Sequence, residues 1–233
     1  MSDSDQAVHA TAHEAWEARW QTEDGRADWL EPEPEVGAVV RRLLGDGAAQ
    51  KPQRMRALDL GCGVGRHAIF LAEQGFEVDA IDGSASGVAF ATAAAAKRGL
   101  RPEQIRLRQG LVHQLPFATA AFDYVLSWNV IYHGIPAEVA RAIAEIRRVL
   151  RPAGLLEATM LSKRHVKFGQ GRAVDRDTFI IDGEEEKDHA HFYCAARGLI
   201  ELFQGFDVET LTQRENRGSP GSWHWHFTAV REG

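Results

Sequence analysis

The 233-residue sequence predicts an α/β fold in which helices flank a mainly parallel β-sheet. From Met55 onward, short apolar runs alternate with segments of helical periodicity, and this alternation is typical of βαβ units. The composition is that of an ordinary folded protein, with 44% hydrophobic and 26% charged residues. At about 150 residues per domain, the length favours one large domain or one domain with a cap.

The alternation can be followed element by element through the chain. Short apolar runs bounded by turn residues predict strands at 57–60, 77–81, 105–108, 124–127 and 155–160. Apolar residues at helical spacing predict helices between them, at 66–74, 88–98 and 139–149. A helix near 192–203 and a final strand pair at 207–211 and 223–230 are predicted to follow.

Two segments do not follow this alternation. Residues 1–50 are predicted to form an N-terminal helical cap, in which Trp16 and Trp20 lie four apart, as on one face of a helix. Residues 51–233 are predicted to form the main domain. Within it, the polar stretch at about 162–190 is too long for an ordinary connection, and we expect an inserted loop or cap there.

Charge and cysteine content exclude several classes of partner. The formal net charge is −6, so the surface repels phosphate backbones, and we expect no nucleic-acid partner. No apolar run approaches the length of about 18 residues that a membrane span needs, so no membrane partner is expected either. With only two cysteines and an acidic N-terminal segment, the chain is expected to be cytoplasmic. The sequence does not indicate an oligomeric state.

A glycine-rich turn connects the first predicted strand to the next helix at 58–66. Its glycines allow close approach of a ligand, and its free N–H groups face an anion. Starting at Gly63, the pattern fits a dinucleotide fingerprint that ends at Ala68, with Asp82 in the position that contacts a ribose. That register leaves Asp59 without a role, which counts against it. A nicotinamide enzyme nevertheless remains an alternative at this point.

Four motifs in a fixed order point to a different cofactor. Residues 59–65 read D-L-G-C-G-V-G, and Asp82 closes the second strand. Residues 115–117 read L-P-F, with F-D at 122–123, and residues 145–154 read E-I-R-R-V-L-R-P-A-G. Over about residues 55–160 the chain resembles class I S-adenosylmethionine-dependent methyltransferases. The resemblance implies a Rossmann-like seven-stranded sheet, mostly parallel with a reversed last strand and with helices on both faces.

The same resemblance implies S-adenosyl-L-methionine as cofactor and S-adenosyl-L-homocysteine as product. A cofactor with an ammonium, a carboxylate and a ribose needs acidic groups and free amides around it. Many relatives carry an aspartate after the third strand for the adenine, but Leu111 stands there. We therefore expect backbone groups to bind the adenine. The implied cofactor-binding residues are Asp59, Gly61, Cys62, Gly63, Gly65, Asp82, Gly83, Leu111, Val112, His113, Ser127 and Trp128.

The acceptor site is expected beyond the carboxyl ends of the fourth and fifth strands, where open α/β sheets bind ligands. Methyl transfer from a sulfonium is an in-line displacement, so a base is needed only if the acceptor is protonated. The predicted substrate-binding residues are Trp20, Asn129, Tyr132, Arg164 and His189. The predicted catalytic residues are His133, His191 and Tyr193.

Two His-x-His pairs raise the question of a metal. His189 and His191 form one pair and His224 and His226 the other. Such spacing alone is weak support for a metal site. The pair at 224 and 226 is interpreted as structural and the pair at 189 and 191 as substrate-binding or basic, so no metal is predicted.

The function predicted from the sequence is methyl transfer from S-adenosylmethionine to a small-molecule N, O or S/chalcogen acceptor. One alternative is a protein or peptide methyltransferase, which would need an open groove. Another is a non-catalytic S-adenosylmethionine-binding regulatory protein. Turnover with a supplied acceptor separates these alternatives.

Overall fold

The structure, a computed structural model, describes residues 12–45, 54–184, 187–216 and 219–233. The helices of these residues are α1 (Ala12–Trp20), α2 (Glu23–Ala27), α3 (Pro34–Leu44), α4 (Arg66–Glu73), α5 (Ala85–Lys97), α6 (Pro136–Val149) and α7 (Ala196–Leu202). The strands are β1 (Arg56–Leu60), β2 (Glu77–Asp82), β3 (Ile105–Gln109), β4 (Phe122–Ser127), β5 (Leu150–Ser162), β6 (Arg172–Asp175), β7 (Thr178–Ile180), β8 (His191–Cys194), β9 (Phe206–Glu215) and β10 (Trp223–Arg231).

The main sheet has seven strands in the order β3-β2-β1-β4-β5-β10-β9. Strands β1 to β5 pair in parallel, and β10 runs antiparallel to both β5 and β9. The predicted Rossmann-like sheet with a reversed last strand is therefore confirmed. The carboxyl ends of β1, β2 and β4 meet at one edge, which positions the site described below.

Helices cover both faces of this sheet, as predicted. Successive residues of β1 point to opposite faces: Ala57 packs in the cluster that includes α3 and α4, and Leu58 in the cluster that includes α6 and α7. Both side chains are fully buried. A strand buried on both faces explains why the sequence of β1 is an apolar run and not an alternating one.

The inserted stretch contains two short strands, β6 and β7, and a third, β8, follows directly after it. Strands β6 and β7 form a hairpin, β7 pairs with β8, and β8 joins the end of β5 through Leu161 and Ser162. The prediction of a helix near 192–203 was wrong at its start. Residues His191–Cys194 are a strand because their buried side chains pack on β5, and α7 begins only at Ala196.

The described part of the N-terminal region, residues 12–45, contains three helices. In α3, Val36 and Val40 are fully buried in the same cluster as β1, whereas α1 packs across α5. Residues 1–11 and 46–50 of the predicted cap lie outside the described residues, and its boundary at residue 50 stays a prediction. No helix in the described part of the chain is long and apolar enough to span a bilayer.

Candidate active site

The glycine turn between β1 and α4 needs glycine for its backbone conformation. Gly61, Gly63 and Gly65 all have positive φ angles, of 71°, 51° and 85°, a region that other L-residues rarely adopt. A Cβ atom on Gly61 would also lie 2.4 Å from the Val130 side chain. The turn therefore brings bare backbone to the carboxyl edge of the sheet.

Asp82, at the end of β2, is tied to this turn through two backbone amides. Its Oδ2 accepts from the Gly63 N–H at 2.7 Å and its Oδ1 from the Ser84 N–H at 2.8 Å. Burial raises the pKa of the Asp82 carboxyl, and the two amide hydrogen bonds oppose that shift. Each oxygen keeps a lone pair, so the carboxylate can still accept from two hydroxyl groups.

Asp59, one strand away, is a buried carboxyl group without a full set of partners. It is 2% exposed, and its Oδ2 has no hydrogen-bond partner among the described residues. Burial raises its pKa from 3.8 to about 7, although a backbone hydrogen bond from Ala68 and the charge of Arg66 both lower it. A bound cation would favour the ionised form of this group.

A cavity of about 250 Å³ opens above the turn and Asp82. Its wall contains most of the predicted cofactor-binding residues: Gly61, Cys62, Gly63, Asp82, Gly83, Leu111, Val112, His113 and Trp128. Three others, Asp59, Gly65 and Ser127, lie behind that wall. Their direct contact with a cofactor stays a prediction.

Three tryptophans of the N-terminal helices form a cover over this cavity. Trp16 and Trp20 stack with ring centroids 5.0 Å apart, and Trp29 meets Trp16 edge to face at 5.2 Å. Trp20 is 5% exposed and lies so close to the glycine turn that a Cβ on Gly63 would approach its ring to 3.1 Å. The substrate-binding residue predicted at position 20 therefore reaches the cavity, packed against the turn.

Glu17 fastens the cover to the start of α5. Its carboxylate accepts from both the hydroxyl and the backbone N–H of Ser86, and from the hydroxyl of Ser84. These bonds, with that from the Ser84 side chain the strongest, lower the pKa of Glu17 from 4.5 to about 2. The carboxylate also lies at the positive end of the α5 dipole, which favours its charge.

The segment after β4 is held in an unusual conformation. Asn129 has a φ of 59°, and its side-chain oxygen and backbone N–H both bond to the hydroxyl of Thr159. The Nε2–H of His133 donates to the Asn129 carbonyl at 2.9 Å. The strained residue therefore directs both its own side chain and His133 toward the cavity, where both line the wall.

Three of the histidines meet beside the cavity. Nδ1 of His133 lies 2.8 Å from Nε2 of His189, and the rings of His189 and His191 have centroids 4.2 Å apart. Burial is the largest cause that lowers their pKa values: to about 4 for His189 and well below the ordinary value for the other two. All three rings are therefore neutral at pH 7.

Other predicted acceptor residues do not reach this cavity. The Tyr193 side chain is buried between Phe168 and Phe179. The Arg164 guanidinium lies 3.5 Å from the ring centroid of Trp223 on an exposed loop. The Tyr132 hydroxyl lies 3.4 Å from Nε2 of His224. Their predicted roles have no geometric support from the cavity wall.

Several residues of the site were not predicted to bind cofactor or substrate. They are Trp16, Trp29, His67 and Glu17. A signal for Glu17 was available, because it lies three residues before Trp20 on the same helical face. Its serine partners, however, are 67 and 69 residues further along the chain.

Comparison with known proteins identifies the domain. Residues 57–154 match the sequence family described as "Methyltransferase domain". An uncharacterized methyltransferase of Synechocystis is 31% identical over 140 residues, which are 54% of this chain and 63% of that protein. The ubiquinone biosynthesis O-methyltransferase of a Caulobacter species is 35% identical over 128 residues, 54% of this chain and 48% of that protein. The chain thus spans about half to two thirds of these relatives' lengths.

A solved structure extends the likeness over the whole fold. It is a Burkholderia thailandensis 1,6-didemethyltoxoflavin N1-methyltransferase, with bound 1,6-didemethyltoxoflavin and S-adenosylhomocysteine, at TM-score 0.67 and 22% identity. The match covers 98% of this chain and 93% of that one, and at this identity it shows the fold. The family match also decides against the dinucleotide register of the glycine turn. Residues 57–154 therefore match a methyltransferase domain, in agreement with the resemblance that the four motifs carry over about residues 55–160.

Proposed function

We propose that this chain transfers a methyl group from S-adenosylmethionine to a small molecule bound beneath the tryptophan cover. The observation that carries the proposal is the arrangement of Asp82 and the glycine turn at the floor of an aromatic cavity. Asp82 would accept from the ribose hydroxyls, and the turn amides would hold the cofactor carboxylate. The Oδ2 atom of Asp59, which has no hydrogen-bond partner among the described residues, would attract the ammonium group of the cofactor.

The cavity suits an enclosed displacement reaction. An in-line attack on a sulfonium methyl group needs alignment of the acceptor and exclusion of water. Trp16, Trp20 and Trp29 provide flat apolar surfaces for alignment, and the cover shields the floor from solvent. The methyl group moves from the sulfonium sulfur to the acceptor atom, and the sulfonium becomes a neutral thioether.

The size of the site favours a small acceptor. Ligand pockets usually measure about 300–1,000 Å³, and this cavity of about 250 Å³ is just below that range. A peptide would need an open groove where α1 lies. The names of two relatives indicate an O-methyltransferase and an N-methyltransferase, which supports small acceptors without choosing the acceptor atom. A cytoplasmic location and the absence of a nucleic-acid partner stay predictions.

The test is an acceptor screen that measures release of S-adenosylhomocysteine by the full chain, combined with titration calorimetry of S-adenosylmethionine. We expect cofactor binding and turnover with at least one small nucleophile. Binding without turnover for any N, O or S acceptor would favour the regulatory alternative. Turnover only with peptides would favour the protein methyltransferase alternative.

A further inference from the structure

The three histidines beside the cavity are brought together by backbone pairing. His133 and His191 form an isolated antiparallel bridge, and the Gly134 N–H donates to the Ala190 carbonyl at 2.8 Å. One nitrogen from each of His133, His189 and His191 lies within 4.8 Å of the others. The loop after β4 and the segment before β8 therefore hold three imidazoles in one fixed group.

The hydrogen bonds of the outer nitrogens fix where the protons are. Nε2 of His133 must donate to the Asn129 carbonyl, and Nδ1 of His191 must donate to the His189 carbonyl at 2.8 Å, because a carbonyl can only accept. In a neutral ring the other nitrogen then carries a lone pair. A ring oriented through its outer N–H by a backbone carbonyl is the usual arrangement of a metal-binding histidine.

One nitrogen that this arrangement of protons leaves with a lone pair is buried without a partner. Nε2 of His191 has no hydrogen-bond partner among the described residues, and the side chain is 1% exposed. A buried, unsatisfied polar atom is costly, so it calls for an explanation.

We propose that His133, His189 and His191 bind one Zn²⁺ ion. Three neutral imidazoles with an open fourth position are a typical ligand set for a zinc site that binds a reactant. His133 and His189 line the cavity, so the open position faces the acceptor. The ion would take the place of the proton on Nε2 of His189, which points to Nδ1 of His133. That proton would move to Nδ1 of His189, so the protein releases no net proton.

This zinc site rests on the proposed function and narrows it to acceptors with a thiol or hydroxyl group. The ion would hold the acceptor sulfur or oxygen and lower the pKa of its proton. The acceptor releases that proton to solvent, its lone pair forms the new bond to the methyl carbon, and the carbon–sulfur bond of the sulfonium breaks. The products are the methylated acceptor, neutral S-adenosylhomocysteine and one proton.

Zn²⁺ binding to the full chain, free of any histidine tag and stripped with a chelator, tests this inference. Competition with a chromophoric zinc indicator should give one Zn²⁺ per chain for the wild type. His191→Ala and His189→Ala should each weaken Zn²⁺ binding by about 100-fold or more. His165→Ala is the matched control, because His165 is buried outside the cluster, and its affinity should equal that of the wild type.

Two further measurements distinguish loss of the zinc site from misfolding and from failure of the proposed function. Co²⁺ should give tetrahedral absorption bands with the wild type and with His165→Ala, and His191→Gln should lose them while its metal-free melting temperature stays near that of the wild type. S-adenosylhomocysteine binding by the zinc-free chain is measured separately, since the floor residues do not depend on the ion. Equal Zn²⁺ affinity in the wild type and the His191 variants, or no stoichiometric binding by the wild type, would overturn the zinc site alone.

Discussion

The floor of the cavity and its cover are held by different kinds of contact. The floor, formed by residues 61–65 and Asp82, is tied to the central sheet by backbone hydrogen bonds, such as those of Gly61 and Cys62 to the Ile81 carbonyl. The cover, formed by α1 with Trp16 and Trp20, is held by stacked rings and the carboxylate of Glu17. We therefore expect the cover to open without disturbing the sheet.

The largest effect is expected at the floor, from Asp82→Ala. Loss of charge-assisted hydrogen bonds should cost about 1.5–3 kcal/mol, which is about one to two decades in the dissociation constant of S-adenosylhomocysteine. Titration calorimetry measures it. Asp123→Ala is the control, because Asp123 also accepts from a backbone N–H, that of Arg56, but at the opposite end of the sheet. Equal affinities in the two variants would remove Asp82 from the site.

A different effect is expected at the cover, from Glu17→Ala. The variant loses the bonds to Ser84 and Ser86, so α1 should exchange its amide hydrogens about tenfold faster, while the sheet is unchanged. Glu14→Ala, on an exposed position of the same helix, is the control. Faster exchange throughout the sheet would show that the cover and the floor are one cooperative unit, and would contradict their separate attachment.

Acid should loosen the cover when Glu17 is protonated. The pKa of Glu17 is lowered from 4.5 to about 2 in the docked helix, so its stabilisation is present above about pH 4.5 and is lost as the pH falls toward 2. Tryptophan fluorescence followed from pH 7 to about pH 2.5 should change in this window for the wild type and less for Glu17→Gln. Parallel curves for the two chains would contradict the role of Glu17.

The smallest effect is expected at Tyr193, which was predicted to be catalytic but does not line the cavity. Tyr193→Phe removes a hydroxyl that lies outside the cavity wall. We expect turnover of the acceptor identified by the screen to stay within about threefold of the wild type. A loss of several decades in kcat, with the melting temperature retained, would return Tyr193 to the reaction.

The floor could be predicted from the sequence because its residues follow a local pattern. The three glycines with positive φ and the acid at the end of β2 are each set by the strand that carries them. The strand assignments held for the same reason, since apolar residues dominate β1 and β4 and alternate with arginine in β3. The structure also shows why Gly63→Val is a poor probe of cofactor binding: the new side chain would strain the backbone and displace Trp20 as well.

The contacts that hold the cover and the histidine group in place could not be predicted because they join distant segments of the chain. His133 and His189 are 56 residues apart, and only the pairing of two loop segments brings them together. Strand β8 was not predicted because all four of its residues are buried. Its sequence therefore lacks the alternation of buried and exposed residues that distinguishes a strand from a helix. Its dependence on β5 is a tertiary effect that local propensity does not contain.

Hydrogen exchange with and without S-adenosylhomocysteine tests most directly the claim that the cofactor binds on the floor beneath the cover. We predict slower exchange at residues 61–65, at 82–84 and across α1, with a further gain in the segment 187–193 that carries His189 and His191. Slower exchange at the floor alone would make α1 a passive surface element. Unchanged exchange at the floor would contradict the account as a whole.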